Sequence, residues 1–293
     1  GAMAQDAVKV SLVYLEHSET LSFDEKRLPD AQIFQVMFYR KDILSQLGLN
    51  VPKTWDDVIN TITVLNKNNL EFGIPISTTL DPTGGVLTFY ALLLQNGGRL
   101  YLDDQTGTDL FTQEATNAFK IWTNFYSNYE LPVSYDFQNR FRTGEMPIGI
   151  SYYETYNTLS VFAPELKGKW SFSLIPGTYN EETGEINHTS TASGTGAVIM
   201  KQPEKRTEDE KQSKYNASWE FLKWWTGAET QAQFGREMEG ILGSAARHAT
   251  ANVKAFQSLA WPQNDLEKLM LQWSQVHEMP QVAGSYIIGR ELE

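Results

Sequence analysis

The chain has 293 residues, of which 41% are hydrophobic and 20% are charged, so it holds enough apolar material for a folded core. Its formal net charge of −12 and the lack of a Lys or Arg cluster argue against nucleic acid and anionic membranes as partners. The sequence has no cysteine, which excludes disulfides, a thiolate nucleophile and cysteine-based zinc sites.

The first third of the chain alternates strand and helix signals. Residues 8–15 (VKVSLVYL) and 33–39 (IFQVMFY) are rich in β-branched and aromatic residues, which favours strands. Thr54 is placed to cap a helix whose apolar residues recur at helical spacing from Val58 onward. Residues 73–76 then resemble a short buried strand.

Two further helices and a strand are predicted in the middle third. One helix begins near Gly85 and ends at residues 95–98 (QNGG), and the next starts at Thr112. The strand at residues 148–151 runs directly into residues 152–156 (YYETY).

The last third adds strand candidates at residues 170–174 and 197–200 and then becomes helical. Residues 201–214 mix charges of both signs and are interpreted as a solvated loop. The helical pattern begins at Tyr215, and its apolar face consists of Ala217, Phe221, Trp224, Trp225 and Ala228. Alternating strands and helices predict an α/β fold with mainly parallel strand pairing.

The sequence carries no complete catalytic or metal-binding motif. Its four histidines are scattered without an i, i+3 or i, i+4 pair, and neither a nucleophile elbow nor a phosphate-binding loop occurs. Carboxylates are plentiful, so a glycosidase pair remains possible, with Glu154 as the candidate residue. We predict a protein that is not an enzyme and needs no cofactor and no metal.

Aromatic and polar residues gather at one predicted strand exit, where Tyr152, Tyr153 and Tyr156 follow the strand. Ligands of open α/β sheets bind outside the carboxyl ends of strands. A tyrosine offers a ring face that packs on a sugar and a hydroxyl that bonds to it, while Arg142 and Glu154 would orient sugar hydroxyls. The alternative is that these tyrosines pack a core edge, and the residues alone leave both interpretations open.

Six pieces of the sequence resemble, in the same order, the family 1 extracellular solute-binding proteins of ABC transporters. They are residues 38–57 (FYRKDIL followed by VPKTWDD), 95–98 (QNGG), 141–148 (FRTGEMPI), 219–224 (WEFLKW), 243–247 (GSAAR) and 280–286. The resemblance implies an α/β, two-lobed periplasmic-binding-protein-like fold of type II, with the solute held between the lobes and no chemistry performed.

The resemblance also implies a division of the chain. Residues 1–37 and 195–245 are expected to form the N-terminal lobe, and residues 38–192 and 247–293 the C-terminal lobe. Hinge crossings are expected near residues 36–40, 192–196 and 243–248. Only 37 residues precede the first matching segment, where the family has several strand–helix units, so the N-terminal lobe is expected to be incomplete.

The family's ligand positions transfer only in part. Tyr286 falls where a Trp stacks on the sugar, and Glu154 falls at another stacking position. Asp81 keeps the acidic residue of its position, whereas Thr83 replaces a stacking aromatic residue, so maltose-like specificity is not expected. The complete predicted ligand-binding set is Tyr152, Tyr153, Glu154, Tyr156, Asp81, Thr83, Arg142, Ser193 and Tyr286.

The function implied by the resemblance is that of a receptor which captures a carbohydrate, with an oligosaccharide preferred, and delivers it to ABC transporter permease subunits. The implied location is extracellular, as a cell-surface lipoprotein, or periplasmic in a bacterium, with membrane contact only through a lipid anchor outside this sequence. Two alternatives remain: a sensory or interaction module of a larger surface protein, and a glycosidase that uses Glu154.

Overall fold

The computed structural model describes residues 27–75, 87–104, 106–199, 206–280 and 282. The chain divides into two compact units. The first unit contains the described residues of Gly1–Ile33, Ser193–Pro262 and Pro280–Ala283, and the second contains those of Phe34–Ala192 and Gln263–Met279.

Helices and strands are interspersed along the described chain, in runs of one to four elements of the same type. The helices are α1 (Lys41–Gln46), α2 (Trp55–Lys67), α3 (Leu87–Gln95), α4 (Gln113–Ser127), α5 (Phe137–Thr143), α6 (Thr155–Phe162), α7 (Glu208–Trp225), α8 (Ala228–Leu242), α9 (Val253–Gln257) and α10 (Gln263–Trp273). The strands are β1 (Arg27–Arg40), β2 (Phe72–Gly73), β3 (Ile148–Tyr152), β4 (Trp170–Ser173), β5 (Thr178–Tyr179), β6 (Ile186–Asn187), β7 (Ser190–Val198) and β8 (Val276–Glu278). None of the described helices is both long and apolar enough to cross a bilayer.

The main sheet has the strand order β2-β3-β1-β7-β8, and β1 and β7 each continue from one unit into the other. β1 pairs antiparallel with β3, with Gln35 opposite Tyr152 and Tyr39 opposite Ile148, and antiparallel with β4. The pairs β2–β3 and β7–β8 are parallel. The sheet is therefore mixed, which corrects the prediction of mainly parallel pairing, because β1 runs opposite to both β3 and β4.

The predicted cap at Thr54 is confirmed. The Thr54 hydroxyl accepts from the Asp57 N–H at 3.2 Å, and the Asp57 carboxylate accepts from the Thr54 N–H at 3.0 Å, which is a capping box. Helix α2 then buries a face formed by Trp55, Val58, Thr61, Ile62 and Leu65. The local sequence thus determines both where α2 begins and which side of it faces the second unit's core.

The core of the second unit is aromatic. Phe38 lies at its centre. The Phe38 ring centroid lies 6.3 Å from that of Phe137, 6.0 Å from that of Trp170 and 5.9 Å from that of Phe172. Other fully buried aromatic side chains of this unit are Phe34, Phe72, Phe89, Phe125 and Phe141. Each such ring contributes on the order of 1.5–3 kcal/mol through removal from water.

The Gln95 side chain connects several segments of the second unit through hydrogen bonds. This side chain is 6% exposed, and its amide oxygen accepts from Trp55 Nε1–H at 2.7 Å and from the Thr178 hydroxyl at 3.1 Å. Its amide nitrogen donates to the carbonyls of Thr189 at 2.8 Å and Pro176 at 3.1 Å. The buried amide is therefore satisfied in both its donor and acceptor roles.

The first unit is held by a buried ion pair and by a tryptophan bond. Arg247, with a side chain 6% exposed, donates two hydrogen bonds to Glu239, at 3.0 and 2.6 Å, and its guanidinium lies 4.2 Å from the Trp261 ring centre. Trp225 Nε1–H donates to the Asp30 carboxylate at 2.6 Å. The ion pair joins α8 to residues 247–261, and the tryptophan bond joins the end of α7 to the first half of β1.

The unit boundary differs from the predicted lobe boundary after residue 246. The prediction places residues 247–262 in the C-terminal lobe, whereas the structure packs them in the first unit, and the chain leaves that unit after Pro262. The physical reason is twofold: the Arg247–Glu239 pair fixes this segment to α8. Backbone hydrogen bonds from the Gln32 N–H to Ala249 and from the Ala251 N–H to Asp30 fix it to β1. The two earlier crossings between units fall at Ile33–Phe34 and Ala192–Ser193.

Helix α7 differs from the predicted pattern in two ways. It begins at Glu208, inside the segment predicted to be a loop, because Thr207 and Glu210 form a capping box. Two residues of its predicted apolar face lie in solvent, since Phe221 and Trp224 are 57% and 58% exposed with ring centroids 5.6 Å apart, whereas Trp225 is half-buried.

Candidate functional site

The candidate site is the exit of β3, which we define as residues 151–156. Ser151 and Tyr152 are half-buried at the end of the strand, and the chain then turns into α6 at Thr155. The hydroxyls of Ser151 and Thr155 lie 2.8 Å apart, which closes this turn. The arrangement leaves part of the side chains of Tyr152 and Glu154 accessible at the carboxyl end of a sheet strand, where ligands of α/β folds bind.

Tyr153 is a core residue. Its side chain is 1% exposed, its ring centroid lies 4.8 Å from that of Phe34, and its N–H donates to the Phe34 carbonyl at 3.0 Å. Burial raises the pKa of the Tyr153 phenol well above its ordinary value. The ring face is covered by protein, so the sugar contact predicted for Tyr153 is corrected in favour of the core-edge alternative.

Tyr156 is half-buried and already engaged. Its hydroxyl donates to the Asp265 carboxylate at 3.0 Å, and its ring meets Trp170 and Phe172 edge-on with centroids 5.2 and 5.8 Å apart. Asp265 in turn lies 3.7 Å from the Lys268 ammonium. The contacts of Tyr156 therefore join α6 to α10 and the sheet.

The side chain of Glu154 differs from those of Tyr153 and Tyr156 in its environment. It occupies the position before α6 without capping the helix through its side chain, and its backbone carbonyl accepts from the Asn157 N–H at 2.9 Å. Within the described chain its half-buried carboxylate has neither an ion-pair nor a hydrogen-bond partner. Burial raises the pKa of this carboxyl above its ordinary value. The group is a strong acceptor with unused capacity.

Arg142 is not part of the strand exit. Its guanidinium donates to Glu165, which lowers the pKa of that carboxyl, and its backbone carbonyl accepts from Arg40 at 3.3 Å. Arg40 ends β1 beside the start of β3, because the preceding residue of β1 pairs with Ile148. Arg142 therefore lies at the opposite end of β3 from Tyr152, which corrects its predicted place among the tyrosines.

The remaining predicted residues lie elsewhere. Ser193 is half-buried on β7 and belongs to the first unit. Asp81, Thr83 and Tyr286 lie outside the described residues, and their ligand contacts stay predictions.

Asp265 was not predicted from the sequence, and it accepts a hydrogen bond from the Tyr156 hydroxyl 109 residues earlier in the chain. No local pattern marks such a residue, since only the packing of α10 brings it to α6. In the described ranges, the His, Asp and Glu side chains form no group of three that could hold a metal ion.

The family of bacterial extracellular solute-binding proteins matches residues 5–232. The match covers most of the chain, and the chain therefore belongs to this family. Its fold is the two-lobed α/β fold of the periplasmic-binding-protein type. The search of the curated proteins gave no match.

Solved structures share this fold at low identity. An ABC transporter solute-binding protein from Thermotoga lettingae, bound with alpha-D-tagatose, has a TM-score of 0.67 and 19% identity over 91% of this chain and 64% of that one. The cyclic alpha-maltosyl-1,6-maltose binding protein from Arthrobacter globiformis has a TM-score of 0.69 and 16% identity over 98% of this chain and 71% of that one.

A third similar structure is an ABC substrate-binding protein from Listeria monocytogenes in complex with cycloalternan. It has a TM-score of 0.63 and 17% identity over 97% of this chain and 73% of that one. This chain thus spans 64% to 73% of the length of these three proteins. At such identities the likeness establishes the fold.

Proposed function

We propose that this chain is the receptor of a bacterial ABC importer and that it binds a carbohydrate without changing it chemically. The observation that carries the proposal is the family match over residues 5–232. Three solved structures of the same fold add support, since they bind alpha-D-tagatose, a cyclic maltosyl-maltose and cycloalternan.

The strand exit supports a hydroxyl-rich ligand. Tyr152 offers part of an aromatic ring together with a hydroxyl, which suits the mixed apolar and polar surface of a sugar. Glu154 offers carboxylate oxygens that have no partner in the described chain, and sugar hydroxyls are donors. Asp81, Thr83, Ser193 and Tyr286 stay proposed contacts of the same ligand.

We extend the proposal to an oligosaccharide as solute and to permease subunits as partners. Two of the three similar structures named above bind cyclic oligosaccharides, which supports the longer ligand. An extracellular or periplasmic location follows from the family, and a lipid anchor outside this sequence would keep the receptor at the membrane.

A thermal-shift screen against neutral monosaccharides and oligosaccharides, followed by isothermal titration, tests the proposal. We expect one sugar class to raise the melting temperature progressively with concentration, because a ligand at 100 times its Kd stabilises the folded state by about 2.7 kcal/mol. Amino acids and short peptides serve as control ligands. A shift with those ligands and none with sugars would overturn the carbohydrate proposal.

The binding function is separated from the glycosidase alternative by assaying sugar release. The protein is incubated with the sugars that bind, and the reducing ends are measured over a day. We expect no release. Release that disappears in Glu154→Gln would instead identify Glu154 as a catalytic acid.

A further inference from the structure

The charge at the strand exit bears on which sugars the receptor accepts, a question that rests on the proposed function. Glu154 carries a negative charge in a half-buried position, and no cation or donor of the described chain compensates it. Burying a carboxylate without a partner is unfavourable, because the protein interior solvates the charge less well than water does. A ligand that brings donors to Glu154 removes part of this cost.

Three other partly buried carboxylates of the second unit accept hydrogen bonds from side chains. Asp42 accepts from Arg40 at 2.7 Å, Asp109 accepts from Arg99 at 2.6 Å, and Asp265 accepts from Tyr156 at 3.0 Å. Glu154 thus stands apart from these three in having its acceptor capacity unused. Its raised pKa has the same origin, since burial is the cause and no neighbouring charge contributes to it.

We propose that Glu154 sorts ligands by charge, admitting neutral and amine-bearing saccharides and rejecting saccharides that carry carboxylate groups. Hydroxyl and ammonium groups donate to the carboxylate, and bonds to a charged acceptor are stronger than those to a neutral one. A uronic acid instead brings a second negative charge into a site of reduced dielectric constant, where repulsion is weakly screened. The net charge of −12 acts in the same direction.

A glycan array with matched sets tests this sorting. Each set contains the neutral, amino-sugar and uronic-acid forms of one oligosaccharide built on glucose, galactose or mannose. The proteins compared are the wild type, Glu154→Gln, and Glu182→Gln as a control that removes an exposed carboxylate in the turn between β5 and β6. Isothermal titration then measures Kd for the strongest set, and thermal melts verify that each protein is folded.

We expect the wild type and Glu182→Gln to bind the neutral or amino form on the order of tenfold more tightly than the uronic form. Glu154→Gln should reduce that ratio toward one. Equal binding of neutral and uronic forms by the wild type would overturn this inference alone, as would an unchanged ratio in Glu154→Gln. A wild type that binds no glycan on the array would overturn the proposed function and this inference with it.

Discussion

The aromatic side chains of the second unit are enclosed, whereas two of those on α7 of the first unit face solvent. Phe38 is fully buried among three aromatic rings, while Phe221 and Trp224 pack on each other and remain more than half exposed. Both groups belong to apolar patterns in the sequence, Phe38 to a predicted strand and Phe221 and Trp224 to one face of a predicted helix. The difference teaches that such a pattern predicts an apolar surface but leaves open what covers it.

The largest expected difference in stability comes from truncating one aromatic side chain in each unit. Phe38→Ala should lower the free energy of unfolding by about 3–5 kcal/mol, because it leaves a cavity in a closely packed core. Phe221→Ala is the matched control and should change it by no more than about 0.5 kcal/mol. Urea denaturation monitored by tryptophan fluorescence measures both. Similar losses in the two variants would contradict the difference in burial between the two rings.

The next largest effect is expected from the buried pair of the first unit. Glu239→Ala leaves the Arg247 guanidinium, whose side chain is 6% exposed, without its carboxylate partner. This change should lower the free energy of unfolding by about 3 kcal/mol. The control is Glu237→Ala on the same helix, whose carboxylate bonds to Gln233 at the surface. Urea midpoints that fall equally in the two variants would show that the Arg247 pair contributes no more than a surface contact.

Removing two tyrosine hydroxyls of the second unit should change stability less, and the two removals should differ in direction. Tyr156→Phe loses the bond to Asp265 and should cost about 1 kcal/mol. Tyr135→Phe removes a buried hydroxyl that has no hydrogen-bond partner in the described structure, and should leave stability unchanged or raise it slightly. Differential scanning calorimetry compares them, and a loss in Tyr135→Phe as large as in Tyr156→Phe would be the contrary result.

The smallest expected effect is a pH dependence that originates in the first unit. Burial lowers the pKa of His248, whose Nε2 lies 2.8 Å from the Gln231 amide oxygen. Below about pH 6.5 His248 becomes protonated in the unfolded chain, whereas in the folded state it stays neutral until the pH reaches its lowered pKa. The stability contributed by neutral His248 is therefore complete above that pH and is lost as the pH falls toward the lowered folded pKa.

Urea midpoints at pH 7.5 and 5.5 measure this effect. We expect the decrease between the two pH values to be smaller in His248→Gln than in the wild type. An unchanged decrease in His248→Gln would exclude this histidine as its source.

Local features of the fold were accessible from the sequence. Thr54 and Thr112 cap helices through bonds to residues three positions away, so their patterns carry all the information required. The strand at the centre of the second unit and the strand exit at Tyr152 follow from alternation and composition in the same way.

The features that could not be predicted depend on contacts between residues distant in the sequence. Tyr153 is buried because Phe34 of β1 lies against it, and Arg142 turns to Glu165 instead of the tyrosines. The assignment of residues 247–262 to the first unit depends on the ion pair with α8 and on backbone hydrogen bonds to β1. Spacing and propensity describe neighbours along the chain, and none of these contacts is between neighbours.

The bonds of Gln95 have a consequence for the order of folding. They join residues between Trp55 and Thr189, so the complete set forms only when distant parts of the second unit have met. We expect this amide to be unbonded in the folding transition state and to act mainly as a brake on unfolding. Stopped-flow kinetics of Gln95→Ala should then show faster unfolding at a nearly unchanged refolding rate, and slower refolding would place the amide in the folding nucleus.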